Sequence, residues 1–207
     1  MHVLFGGTFD PFHNGHAAMI DALRAAFPHA QVSVIPNRLP PHRQASASAQ
    51  HRLHMLSLGL PDRHQIEISR IEIDRAGPSY SVLTLEDYRH IVGHREPLVL
   101  CMGADAAEKL DQWHDATRIP TLAHVCVLDR DGESALVPRF SGQLIETDDA
   151  SALDQQPCGL AYRLQTPEVP VSSTQVRAMI RTGVERLPVP EPIAHYIQTH
   201  ALYQDTE

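Results

Sequence analysis

Short apolar runs alternate along the chain with segments whose apolar residues recur at helical spacing. Val3 to Phe5 is an apolar run halted by Gly6-Gly7. Gly15 to Phe27 follows, with Ala18, Met19, Ala22, Leu23 and Ala26 at helical spacing. This predicts a strand, a glycine turn and a helix. Val32 to Ile35, closed by Pro36, predicts a second strand, and the Pro-, Ala- and Ser-rich stretch up to Ser48 predicts a loop. Gln50 to Leu60 predicts a helix. Ile66, Ile68, Ile71 and Ile73 predict extended structure, with a break near Ser69-Arg70 where the alternation changes phase. Ser81 to Ile91 returns to the helical pattern.

The opening unit then recurs. Leu98 to Met102 is a continuous apolar run before Gly103-Ala104-Asp105, and Ala106 to Leu110 restarts a helix; Val125 to Leu128 is another apolar run. Strands apolar on both faces, alternating with helices, argue for a parallel sheet covered on both sides, a Rossmann-like doubly wound α/β fold. Asp129 to Asp154 is irregular and acidic, so an insertion is expected at about 130–160. Near Tyr162 to Leu164 a short run precedes Ser172-Ser173-Thr174, a polar N-cap ahead of Gln175 to Arg181. Pro190 to Tyr203 suggests a closing helix. The chain is expected to be a single domain over 1–207 with a small C-terminal helical part at about 172–207.

Charge narrows the partners. The formal net charge is -8 and the basic residues are scattered, so the electrostatic footprint of a nucleic-acid binder is missing. Cys101, Cys126 and Cys158 lie far apart, two of them inside apolar runs, where a thiol acts as a small hydrophobe. The N-terminus enters an apolar strand directly, and no apolar run approaches the roughly 20 residues of a membrane span. A cytoplasmic enzyme with no membrane partner is expected, monomeric or homo-oligomeric.

The candidate chemistry gathers at the first turn. Beyond the carboxyl ends of strands in an open α/β sheet, glycines let phosphate approach backbone N–H groups, and helix N-termini add partial positive charge. Gly6, Gly7 and Gly15 suit that task. His13 and His16 flank the predicted helix start, where both can donate to a triphosphate as its α-phosphorus is attacked, and Thr8 offers a hydroxyl to the same oxygens. A zinc site at the two histidines lacks a nearby Cys or third His, so no protein metal ligand is expected.

The run Gly6 to His16 resembles the signature of the HxGH nucleotidyltransferases, and Ser172-Ser173-Thr174-Gln175-Val176-Arg177 resembles that superfamily's second phosphate motif. Further matches narrow the resemblance to bacterial nicotinate-nucleotide adenylyltransferases. They are Ile35-Pro36-Asn37, Pro40-Pro41-His42-Arg43, Pro78-Ser79-Tyr80-Ser81, Thr84-Leu85, Gly103-Ala104-Asp105, Trp113, Tyr196-Ile197 and Leu202-Tyr203. The resemblance implies transfer of AMP from ATP to nicotinate mononucleotide, with Mg²⁺ carried on the triphosphate.

It also implies residue roles. His13, His16, Ser173 and Arg177 would hold the ATP phosphates, Ser172 and Thr174 would add hydroxyls at a helix N-terminus, and Asp105 would contact the adenosine side. Trp113 would stack on the pyridine ring, next to His114. Thr84 with nearby N–H groups would receive the nicotinate carboxylate, and Tyr80 and Asn37 would line that pocket. Arg43 would meet a phosphate when its loop closes. In one departure, Asp129-Arg130-Asp131-Gly132 stands where many relatives read Arg-Pro-Gly, leaving Arg130 as an adenine-side contact of doubtful geometry. Competing readings are a phosphopantetheine adenylyltransferase, which lacks the combined loop and Trp113 pattern, and a catalytically silent nucleotide-binding module, which would damage the phosphate motifs.

Overall fold

The computed structural model describes residues 1–40, 45–60, 64–129 and 143–204. In chain order the described strands are β1 (His2–Gly7), β2 (Gln31–Pro36), β3 (Ile66–Ile68), β4 (Leu98–Gly103), β5 (His124–Asp129), β6 (Ile145–Thr147) and β7 (Leu160–Gln165). They form one sheet in the order β3-β2-β1-β4-β5-β7-β6, and every neighbouring pair is parallel. The described helices are α1 (Asn14–Ala26), α2 (Ala49–Gly59), α3 (Ile71–Asp74), α4 (Ser81–Val92), α5 (Ala104–Ala107), α6 (Ile119–Leu122), α7 (Ser173–Arg181) and α8 (Glu191–Thr199).

Alternation along the strands divides the core in two. Val3 and Phe5 of β1, Val99 and Cys101 of β4, and Cys126 and Leu128 of β5 face Ile20 and Leu23 of α1, Leu56 of α2, Val176 of α7 and Ile193 of α8. Leu4, Leu98, Leu100, Val125 and Val127 face the other way, toward Leu85 and Tyr88 of α4 and Ile119 of α6. Burial on both faces is what makes these strands continuous apolar runs in the sequence. Strand order reverses direction between β1 and β4, and the crevice beyond their carboxyl ends is where a doubly wound sheet accepts ligands.

Two predicted segments differ. Ile71 and Ile73 do not extend β3: Ser69 N continues the ladder by one bond to Val34 O (2.9 Å), and the chain then turns into α3, with an Arg70–Asp74 ion pair (2.8 Å) one helical turn apart. The turn buries Ile73 and Glu72 in place of a second alternating stretch. The helix expected from Ala106 starts earlier, at Ala104, and gives way to a 3-10 turn at Leu110–Gln112. Of the irregular 130–160 stretch, 130–142 lies outside the described residues, while the remainder carries β6 and a 3-10 turn at Ala150–Asp154. The C-terminal part is helical as expected, through α7 and α8.

Candidate active site

The glycine turn after β1 leads into α1 through a reciprocal cap. His13 is the N-cap, and its Nδ1 accepts from His16 N (3.4 Å); His16 Nδ1 accepts in turn from His13 N (3.3 Å). This is the capping-box arrangement with imidazoles in place of the usual hydroxyl and carboxylate. Because each Nδ1 acts as an acceptor, each neutral ring carries its proton on Nε2. The rings stack with centroids 3.7 Å apart, and Phe9 and Phe12 pack on His16 at 5.0 and 5.5 Å. Gly15 is required by this closeness: a Cβ there would lie 3.0 Å from His13 Nδ1 and 3.2 Å from Val171. At Gly7 a Cβ would meet the Phe9 ring at 2.8 Å.

α7 closes the other side. Ser172 is its N-cap, accepting from Gln175 N (3.2 Å) while its hydroxyl donates to Gln175 Oε1 (3.0 Å), so this serine is committed to capping. Ser173 Oγ donates to Pro11 O (3.1 Å). Arg177 donates to Asp10 O (2.6 Å) and to Thr174 Oγ1 (3.2 Å). The two phosphate motifs of the sequence are thereby joined across more than 160 residues.

Asp10 and Arg52, neither a sequence-predicted site residue, hold this wall in place. The buried Asp10 carboxylate accepts from Ser46 N (2.7 Å), Ala47 N (3.1 Å) and the Tyr203 hydroxyl (2.8 Å). Burial, then the Asp10 charge, pushes the Tyr203 phenol upward, so it stays a donor. Arg52, 1% exposed, donates to Thr8 O (2.7 Å), Ala47 O (3.2 Å) and Arg38 O (3.3 Å). One guanidinium thus ties the glycine turn to both flanks of the 38–47 loop.

Beside this wall a cavity of about 310 Å³ opens at the β1/β4 crevice. Gly6, Gly7, Thr8, Asn37, Tyr80, Thr84, Trp113 and His114, all predicted site residues, line it. A Cβ at Gly6 or at Gly103, which also lines it, would meet nothing within 4 Å, so both glycines leave room for a ligand. Tyr80 stacks on His114 with centroids 4.2 Å apart. α4 begins in the wall with Tyr80 as N-cap and no side-chain cap, so its first N–H groups are left for water or an anion. Asn37 Oδ1 is buried without a hydrogen-bond partner.

Glu72 also forms part of the wall and was invisible in the sequence pattern. Thr84 Oγ1 donates to Glu72 Oε1 (2.6 Å) and accepts from Arg75 Nη1 (3.1 Å), while Arg75 pairs with Asp87. Burial raises the Glu72 pKa, opposed by hydrogen bonding to Thr84 and Ser79 and by the Arg75 charge. His13, His16, Ser172, Ser173, Thr174 and Arg177 lie outside the cavity lining, in the phosphate wall. Exposed Asp105, at the start of α5, also lies outside it. Arg43 and Arg130 lie outside the described residues. No cluster of three His, Cys, Asp or Glu with metal-binding arrangement occurs among the described residues.

Comparison with known proteins supplies a family and a fold. The family model for cytidylyltransferase-like proteins matches residues 4–179. A nicotinate-nucleotide adenylyltransferase from Escherichia coli is 34% identical over 211 residues, covering 99% of each chain. Among solved structures, the Plasmodium falciparum nicotinic acid mononucleotide adenylyltransferase complexed with NaAD superposes with a TM-score of 0.70 at 15% identity, covering 98% of this chain and 96% of its own. The same enzyme complexed with APC gives a TM-score of 0.68. At that identity the structural likeness speaks for the fold.

Proposed function

The chain belongs to the nicotinate-nucleotide adenylyltransferases, within the cytidylyltransferase-like proteins, and from that premise we propose how its residues divide the work. The reaction moves AMP from ATP to nicotinate mononucleotide and gives deamido-NAD and pyrophosphate. The nucleophile is the phosphate of the mononucleotide, already anionic at neutral pH, so no strong general base is needed. Positioning and charge neutralisation carry the rate.

The observation that carries the assignment of roles is the junction of two walls at one crevice. His13 and His16, each with its Nδ1 engaged, present Nε2–H donors at the start of α1, where Arg177 arrives from α7. These groups bind the ATP phosphates, with Gly6, Gly7, Thr8, Gly15, Ser173 and Thr174 around them. Ser172 acts through the α7 cap. Asp105 and Arg130 serve the adenosine side. The cavity next door takes the nicotinoyl ribose: Trp113 stacks on the ring, Asn37, Tyr80 and His114 line it, and the carboxylate sits at the uncapped α4 N-terminus beside Thr84. Arg43 closes over a phosphate.

Mg²⁺ bound to the triphosphate would rest on phosphate oxygens and water, and would supply neutralisation of charge on the leaving pyrophosphate. The described residues fit that arrangement: the carboxylate nearest the phosphate wall, Asp10, already accepts three hydrogen bonds and is not free to ligate. No described helix is long and apolar enough to cross a membrane. Three unbridged cysteines support a cytoplasmic setting, with the enzyme a monomer or homo-oligomer.

The test is pyrophosphate release from ATP with nicotinate mononucleotide, nicotinamide mononucleotide and phosphopantetheine in parallel. Turnover is expected with the first and strongly preferred over the third. Inactivity of folded protein with all three, or preference for phosphopantetheine, refutes the assignment.

A further inference from the structure

A pocket for a pyridine carboxylate would ordinarily contain a cation, yet no Lys or Arg lies in the described wall of this cavity, and its only Asp or Glu is Glu72. Two carboxylates in one partly dry site cannot both stay ionised without cost. The nearest cation the structure offers Glu72, Arg75, is engaged with Asp87 and reaches the site only through Thr84. Resting on the substrate reading above, we propose that Glu72 determines whether the pocket prefers an acid or an amide on the pyridine ring, by setting which way the Thr84 hydroxyl points its proton.

The argument is an inventory of one hydroxyl. Thr84 Oγ1 has one proton and two lone pairs. Arg75 Nη1 donates to one lone pair (3.1 Å), and Glu72 Oε1 lies 2.6 Å away. When Glu72 is ionised, it takes the Thr84 proton and leaves a single lone pair for a ligand, which suits the N–H of an amide. When Glu72 is neutral, its own O–H donates to Thr84 and fills the second lone pair. The Thr84 proton is then released from Glu72; its one other protein acceptor is Tyr80 O at a long 3.5 Å, so a carboxylate in the cavity competes for it well. The backbone N–H groups at the start of α4 favour an anion in both states; the hydroxyl is the part that switches.

The surroundings of Glu72 make the neutral state accessible. Its side chain is buried and Oε2 makes no hydrogen bond. Ser79, on the chain between α3 and α4, favours the charged form: its Oγ accepts from Arg38 N (2.9 Å) and Leu39 N (3.3 Å), which leaves its proton to be donated. From α4, Thr84 and Tyr88 face Glu72, the phenol of Tyr88 itself held upward by burial; Arg75 faces it from the end of α3. The other titratable groups in the cavity wall are Tyr80, Cys101 and His114. Burial is the largest influence on Glu72 and acts to keep the proton on it. A bound substrate carboxylate adds a like charge and acts in the same direction, so binding of the acid draws a proton from solvent onto Glu72 whenever the free enzyme has lost it. Binding of the amide does not.

The test compares kcat/KM for the acid and amide mononucleotides from roughly pH 5 to pH 9, in the wild type and in Glu72→Gln. Both nucleotides carry the same phosphate, so its titration cancels in the ratio. In the wild type the acid-to-amide ratio is expected to fall about tenfold per pH unit above the free-enzyme pKa of Glu72. In Glu72→Gln, whose amide does not titrate, it is expected to stay flat within about twofold across the range, because no ionising group remains to switch Thr84. A wild-type ratio that does not change with pH, or a Glu72→Gln ratio with the wild-type slope, overturns the proposal. Should the variant fold poorly, calorimetry of the wild type in buffers of different ionisation enthalpy counts the protons directly. Uptake with the acid above that seen with the amide supports the switch, and equal uptake overturns it. Turnover of neither pyridine nucleotide by folded wild-type enzyme is a different failure, that of the substrate reading itself.

Discussion

Replacing Asp10 with Asn tests whether the phosphate wall is held by a buried charge or by shape alone. The two side chains have nearly the same volume, so packing is preserved while one acceptor oxygen becomes an N–H₂ donor. In one orientation that donor faces Ser46 N; in the other it faces both Ala47 N and the Tyr203 hydroxyl. The first is cheaper, because Ser46 is exposed and water can take its N–H. It still loses one hydrogen bond to a charged group, about 1.5–3 kcal/mol, and the two that survive drop to roughly half their strength. We expect a total loss of about 3–6 kcal/mol, which in a chain of 207 residues lowers Tm by roughly 6–24 °C. Urea unfolding with an unchanged m-value measures it. Tyr203→Phe alone should cost about 1–2 kcal/mol, and the double variant should cost less than the sum by about 1 kcal/mol, since Asp10→Asn already weakens the bond that Tyr203→Phe removes. A loss under about 0.5 kcal/mol for Asp10→Asn, or strict additivity, would refute the claim that Asp10 organises the wall through its charge.

Other outcomes follow from the same geometry. His16→Ala should lower kcat at least about tenfold through lost stabilisation of the transition state, and a nearly unchanged rate in a pre-steady-state assay would remove it from the phosphate site. Trp113→Ala should raise KM for the mononucleotide by roughly fivefold or more, the equivalent of about 1–3 kcal/mol of stacking, while KM for ATP moves far less; equal effects on both would argue against a ring platform. His124, buried with Nδ1 accepting from Leu160 N (3.0 Å) and Nε2 bonded to Gln156 O (2.8 Å), is held neutral, its pKa lowered chiefly by burial and further by Arg89. Below about pH 6.5 the unfolded chain gains a proton that the folded ring refuses, so stability should fall as pH drops, by up to about 1.4 kcal/mol per unit. NMR titration of this imidazole with an ordinary histidine midpoint would contradict that.

Much of this was legible before any coordinates. Continuous apolar runs announced a sheet buried on both faces, and the glycine-histidine run and Ser172 marked the starts of α1 and α7, because each is a local pattern with a local cause. What escaped depends on distant contacts. Ile71 and Ile73 share the spacing of a strand with Ile66 and Ile68, and only the packing of α3 over β2 turns them into a helix. Glu72, flanked by those isoleucines, looked like the solvent side of an alternating strand and is 6% exposed. Arg52 and Arg89 would be taken for surface cations, yet each spends its guanidinium on carbonyls from separate segments; Arg89 reaches Leu122, Gly93, Glu96 and Pro157. Asp10 sat inside the recognised motif and was passed over, because its partners are 36 to 193 residues away.

Those separations also bear on how the enzyme comes into being. Ser173 meets Pro11 across 162 residues, Arg177 meets Asp10 across 167, and Tyr203 reaches Asp10 across 193. Closing loops of that length carries an entropy cost that local contacts do not, so these bonds form late relative to the strand-turn-helix units they join. A fragment without α7 would lack Ser173 and Arg177, and with them the anchors that α7 gives the turn before α1. The wall is thus a checkpoint on folding itself: it is complete only where segments far apart in the chain have found one another.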